Sequence, residues 1–165
     1  MQGQGESLPF ADGTFKAIFL SQVWHHLIDE QTAAREFFRV LQPGGGVFVK
    51  TYSHDQIRAR WDLKDIFPEL LDFMLDIYPD IPDFEQIFTQ TGFGRVESQP
   101  YRKDDTMLPS QLLKVADERL WSMFSFISEE GRQSGMDTLK DLIDSTNDTP
   151  VPYDEIHLLV SAYKD

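Results

Sequence analysis

Ala17-Ile18-Phe19-Leu20 and Val47-Phe48-Val49 are short, unbroken apolar runs, the pattern of strands buried on both faces. Between them Asp29 offers a helix N-cap, and Ala34, Phe37, Phe38 and Leu41 recur at helical spacing until Pro43-Gly44. Strand, helix and strand within about 35 residues is the size of a βαβ crossover, which predicts that the two strands run parallel. That unit puts the chain in the α/β class.

Downstream the pattern turns helical. Pro68 suits a first helical turn, and Leu70, Phe73, Met74 and Ile77 make one apolar face before Pro79. Asp83 with Gln86 reads as a capping-box start, Phe84, Ile87 and Phe88 face inward, and Gly92 ends that helix. A strand is expected around Arg95 to Ser98. A helix is expected from Pro109 to Ile127, with Leu112, Ala116, Leu120, Met123, Phe124 and Ile127 on its stripe. Met136, Leu139 and Ile143 predict one more helix, Thr146 to Pro152 carries turn chemistry, and Ile156 to Tyr163 reads as the last strand. The expectation is four strands in one domain over residues 1–165, with helical insertions at about 55–80 and 105–150.

The bulk properties narrow the function. A chain of 165 residues with 41% hydrophobic residues and 13 Phe has the makings of a folded core. It has no cysteine, which removes disulfides and thiolate metal sites and agrees with a cytoplasmic address. No apolar run reaches the ~20 residues of a membrane span, and the N-terminus has no signal-peptide pattern. A net charge of −13 repels a phosphate backbone, so neither nucleic acid nor a membrane is an expected partner.

Three strings point further. Gly5-Glu6-Ser7-Leu8-Pro9-Phe10 through Phe15-Lys16-Ala17-Ile18 resembles the run into the fourth strand of class I S-adenosylmethionine-dependent methyltransferases, of the small-molecule, ubiquinone-biosynthesis type. Ser21-Gln22-Val23-Trp24-His25-His26-Leu27 resembles that family's segment after the strand. Arg35-Glu36-Phe37-Phe38-Arg39-Val40-Leu41-Gln42-Pro43-Gly44-Gly45 is similar to its helix ending in Arg-Val-Leu-x-Pro-Gly-Gly. The likeness covers residues 3–52 closely and residues 84–98 and 155–164 more loosely. It implies a partial Rossmann-like sheet, S-adenosylmethionine as cofactor and a small-molecule methyl acceptor. Two departures stand out: Gln4 takes the place of an acidic residue that contacts adenine, and Lys16 that of an Asp. The family's glycine-rich loop and ribose-binding acid have no counterpart here, so N-terminal βα units of roughly 60 residues or more are expected to be missing. Weak cofactor binding by this chain alone follows as an expectation.

Candidate residues follow from both readings. Doubly wound sheets hold ligands at the carboxyl ends of their strands, which selects Ser21 and Gln22 after the first strand and Lys50 and Tyr52 after the second. The resemblance adds Gln4, Gly5, Leu20 and His26 as cofactor contacts and Trp24 as a pocket-lining residue. His25 and His26 are the candidates for acid–base work; as helical neighbours diverging by about 100° they do not make a chelating pair, and no metal is expected. Gly3-x-Gly5 has no strand before it, and Gly44-Gly45-Gly46 reads as a helix C-cap turn, so neither serves as a phosphate cradle. Two alternatives stand beside methyl transfer: a non-catalytic, truncated remnant that self-associates, and a nicotinamide-dependent oxidoreductase. An unpaired edge at Ala17 to Leu20 is expected to drive a homodimer.

Overall fold

The computed structural model describes residues 4–153 and 155–165, so Gly3 of the Gly3-x-Gly5 pair lies outside the described residues. Its contacts divide into two compact units, one of residues 1–53, 78–101 and 157–165, the other of residues 54–77 and 102–156.

The first unit is built on a sheet. Strand β1 (Phe15–Ser21), helix α1 (Glu30–Val40) and strand β2 (Leu41–Thr51) form the expected βαβ crossover. The two strands run parallel, with Ile18 opposite Val47 and Leu20 opposite Val49. Strands β3 (Arg95–Lys103) and β6 (Glu155–Tyr163) complete the order β1-β2-β6-β3, with β6 antiparallel to β2. Helix α4 (Ile81–Thr91) ends on Gly92 in the left-handed conformation. Trp24, Phe37, Phe84, Phe88, Val47 and Val49 are buried together at the centre of this core.

Local chemistry explains the crossover. Asp29 caps α1, its carboxylate accepting from the Thr32 amide at 2.9 Å. At the other end the Lys164 ammonium donates to the carbonyls of Phe38 and Leu41, at 2.7 and 2.8 Å, where the helix dipole favours a cation. Arg39 donates to Glu36, Asp12 and the carbonyls of Leu8 and Phe10, so α1 holds the Leu8-Pro9-Phe10 turn against itself. The Glu36 carboxyl, bonded by Arg39 and by the Leu8 amide, is lowered to about 2.

The second unit contains helices α2 (His54–Ala59), α3 (Pro68–Ile77), α5 (Pro109–Asp117) and α6 (Glu129–Thr146), a π turn at Asp62–Ile66, and the two-residue strands β4 (Thr106–Met107) and β5 (Val151–Pro152). Ser128 caps α6, its hydroxyl oxygen accepting from the Gly131 amide at 2.8 Å. Gly135 is a close-approach position: a Cβ there would stand 2.1 Å from the Phe67 ring and 2.8 Å from the Ile66 carbonyl. Asp62, 2% exposed, is paired with Arg60 at 2.6 Å and accepts from the Tyr153 hydroxyl at 3.0 Å. Those contacts offset the cost of burying its charge.

Four expectations from the sequence are corrected. β1 is not buried on both faces: it is an edge strand whose Ala17 and Phe19 are exposed, with Phe19 65% exposed. An apolar run shows that both faces can be covered, not that they are. The Pro109 to Ile127 helix stops at Asp117, because Arg119 takes a left-handed φ of 50° and Ser122–Ser125 forms a separate 3-10 turn. Leu120, on the expected apolar stripe, is accordingly exposed. Gly44-Gly45-Gly46 is not a C-cap turn: α1 gives way to extended backbone at Leu41, and the glycines lie inside β2 at the irregularity in its register with β1. A Cβ on Gly45 would sit 2.9 Å from the carbonyls of Gln42 and Lys16, so the strands meet there only without side chains. Finally, α4 is capped by Asp80, whose amide donates to Asp83 at 2.8 Å; Asp83 is the third helical residue, not the first.

Candidate functional site

The carboxyl ends of β1 and β2 lie side by side, and every residue of the candidate site belongs to the first unit. β1 ends at Ser21, after which Gln22 adopts a left-handed φ of 54°. A non-glycine residue in that region costs about 1–3 kcal/mol and is held only by its surroundings. Here the Gln22 amide donates to the Lys50 carbonyl at 2.9 Å, tying the turn to β2. A 3-10 turn at Trp24–His26 then carries the histidines.

Rings gather at this end of the sheet. His25 lies 4.1 Å from His26 and 4.1 Å from Tyr78 between ring centroids. Tyr52 lies 5.7 Å from Tyr78 and stacks on His157 at 4.8 Å. The register explains the last contact: Thr51 pairs with Leu158, which brings Tyr52 level with His157 on the antiparallel neighbour. The Tyr78 hydroxyl donates to Gln22 Oε1 at 3.3 Å. Burial, and then the neighbouring His26, lower His25 to about 4, so its imidazole is neutral at ordinary pH.

Three buried polar atoms at these strand ends find no hydrogen-bond partner within the described protein: Gln22 Nε2, His25 Nδ1 and Thr51 Oγ1. Leaving such a group unpaired costs about 1–3 kcal/mol, which a polar ligand relieves. Their clustering is what a ligand-binding end of a doubly wound sheet requires.

The expected residues are not all brought together. Gln22, His25 and Tyr52 join one constellation through Tyr78, and His26 reaches it through His25. Gly5 approaches the same turn, since a Cβ there would stand 2.7 Å from Leu27, the residue after His26. Gln4 is exposed, and its carbonyl accepts from the Ser7 amide at 3.1 Å in a tight turn. Ser21 is exposed at the strand end, while the Leu20 side chain belongs to the core. Trp24 is core as well: it is 1% exposed and its ring meets Phe37, Phe84 and Phe88, so it lines no open pocket. The histidines differ from the expectation in one respect, for their rings touch despite being chain neighbours. Among the described residues no group of three or more His, Asp or Glu is placed to hold a metal ion, and no helix is long and apolar enough to cross a membrane.

Tyr78 and His157 were not among the residues the sequence singled out. His157 carried a faint signal, a titratable residue inside the apolar run of the last strand. Tyr78, next to Pro79 after a helix, looked like an ordinary loop aromatic.

Residues 1–49 match the family described as a methyltransferase domain. The fold agrees along the whole chain: a protein from Anabaena variabilis, assigned to the methyltransferases of an antibiotic biosynthesis pathway, superposes with a TM-score of 0.76 at 18% identity, over 98% of this chain and 72% of that one. The first 49 residues thus resemble a methyltransferase domain, and the fold resembles that of a methyltransferase structure. A curated relative, the 2-phytyl-1,4-naphthoquinone methyltransferase of Thermosynechococcus vestitus, is 29% identical over 117 residues, 61% of this chain and 52% of the relative. The chain thus spans about half the length of that curated relative. A more distant methyltransferase structure, phosphoethanolamine N-methyltransferase 2 of Haemonchus contortus in complex with S-adenosyl-L-methionine, superposes with a TM-score of 0.50 at 17% identity, over 98% of this chain and 36% of that one.

Proposed function

We propose that the protein takes part in methyl transfer from S-adenosylmethionine to a small planar acceptor of the quinol type. The observation that carries this reading is the gathering of Gln22, His25, Tyr52, Tyr78 and His157 at the carboxyl ends of adjacent strands in a methyltransferase fold. The quinone-type acceptor is taken from the relative's name.

Bound S-adenosylmethionine supplies an electrophilic methyl group on a sulfonium sulfur. The chain's own residues do the rest. Gly5, Ser21 and Gln22 border the cofactor side, with Gln22 Nε2 and Thr51 Oγ1 as polar atoms that still want partners. Half-buried Tyr52 and exposed His26 offer ring faces to a planar acceptor, and holding it in line with the methyl group supplies most of the acceleration such a displacement needs. Methylation at a ring carbon would require a ring proton to leave. That proton is strongly acidic, so a weak base suffices, and neutral His25 with its free Nδ1 is placed to take it.

The test is transfer of a labelled methyl group from S-adenosylmethionine to a reduced 1,4-naphthoquinone by the full chain. Transfer is expected at S-adenosylmethionine concentrations high enough to offset the weak cofactor binding expected of this chain, with kcat about 100-fold lower in His25→Ala, the usual scale of a general base. Absence of any transfer to this or to other quinols refutes the reading. Self-association through the β1 edge is proposed alongside, on the exposure of Phe19.

A further inference from the structure

Tyr78 is nearly buried and touches three of the site's residues: its hydroxyl meets Gln22, and its ring meets His25 and Tyr52. We infer that Tyr78 is the positioning residue of this site: its hydroxyl turns the Gln22 carboxamide so that the amide NH2 donates to an oxygen of the ligand. This rests on the methyltransferase reading and deepens it, by naming the atom that recognises the ligand and the chemistry it accepts.

A carboxamide has one acceptor end and one donor end, and nothing in its shape decides which way it faces. The decision comes from its partners. Tyr78 occupies the oxygen of Gln22, and the nitrogen is left buried with both hydrogens unmatched. A lone-pair acceptor satisfies that end, and the ligand class at hand offers carbonyl or carboxylate oxygens. The backbone is committed to the same geometry, since the left-handed φ of Gln22 is held by its bond to Lys50. Tyr78 is itself confined by His25 on one side and Tyr52 on another, so its hydroxyl is a fixed reference and not a free rotor. His25, held neutral by burial, adds no positive charge beside Tyr78.

The oxygen has two sources, the carboxylate of the cofactor's amino-acid end or an oxygen on the acceptor ring. The experiment follows the side-chain amide signals of Gln22 by 15N–1H NMR on the full chain, assigned by their loss in Gln22→Met. S-adenosylhomocysteine and 1,4-naphthoquinone are titrated separately. The Gln22 amide signals are expected to shift with one probe and not the other, which identifies the source. Tyr78→Phe keeps the ring contacts and is expected to abolish that shift and weaken the probe about tenfold, the loss of one hydrogen bond's orienting effect. Gln22→Glu replaces donor by acceptor without touching Tyr78 and is expected to weaken the same probe at least as much. A probe that binds, moves other signals and leaves both the Gln22 amide and the Tyr78→Phe affinity unchanged overturns the positioning role while the methyltransferase reading stands. Failure of both probes to bind overturns the two together.

Discussion

His25 shows how one side chain's surroundings set its chemistry. Its ring lies between His26 and Tyr78, and burial holds it neutral down to about pH 4, whereas an unfolded histidine gains its proton near 6.5. Between those values the unfolded chain binds more protons than the folded one, so stability falls as pH drops from about 6.5 towards 4. Above 6.5 both states are neutral and the contribution is flat. Chemical denaturation across that window is expected to show a shallower decline for His25→Gln than for the natural protein; equal slopes would place the titration elsewhere. His25 was a candidate from the sequence, through the His-His-Leu string. That it would be neutral was not, because the lowering comes from burial among residues distant in sequence.

The elements behaved as their periods required, and differed where a distant residue set the boundary. Helix α1 begins at Asp29 as its sequence predicts, but its end is finished by Lys164, more than 120 residues away in the chain. No local pattern announces such a cap. Lys164→Met keeps the aliphatic stem and removes the donor; it is expected to destabilise the fold by about 1 kcal/mol, the scale of a cation at a helix C-terminus. Hydrogen exchange at the last turn of α1 should rise with it. A loss spread evenly over both units, with α1 unaffected, would contradict that assignment. The Pro109 to Ile127 stripe failed for the opposite reason: the apolar spacing continues past Asp117, while the backbone turns left-handed at Arg119.

At the level of the whole molecule, the sheet order β1-β2-β6-β3 leaves β1 as an edge, with Phe19 standing 65% exposed. An apolar edge without proline or a bulge over Ala17–Ser21 is a template for another strand. A second copy related by a two-fold axis covers it on both molecules at once. Light scattering over the micromolar range is expected to show a concentration-dependent dimer, shifted to monomer by Phe19→Lys. A monomer at every concentration defeats the proposal.

Periodicity, capping residues and three motif strings determined the α/β class, the parallel βαβ unit and the likeness to methyltransferases, because each of these depends on residues close together in the chain. The strand ends offered Gln22 and Tyr52 as candidates by the same logic, and the His-His-Leu string offered His25. Only the tertiary structure decided which apolar residues are covered, sending Trp24 to the core and Phe19 to the surface. It alone brought Tyr78 and His157 to the site. Burial and polar pairing depend on what stands opposite in space, and a one-dimensional pattern carries no record of that.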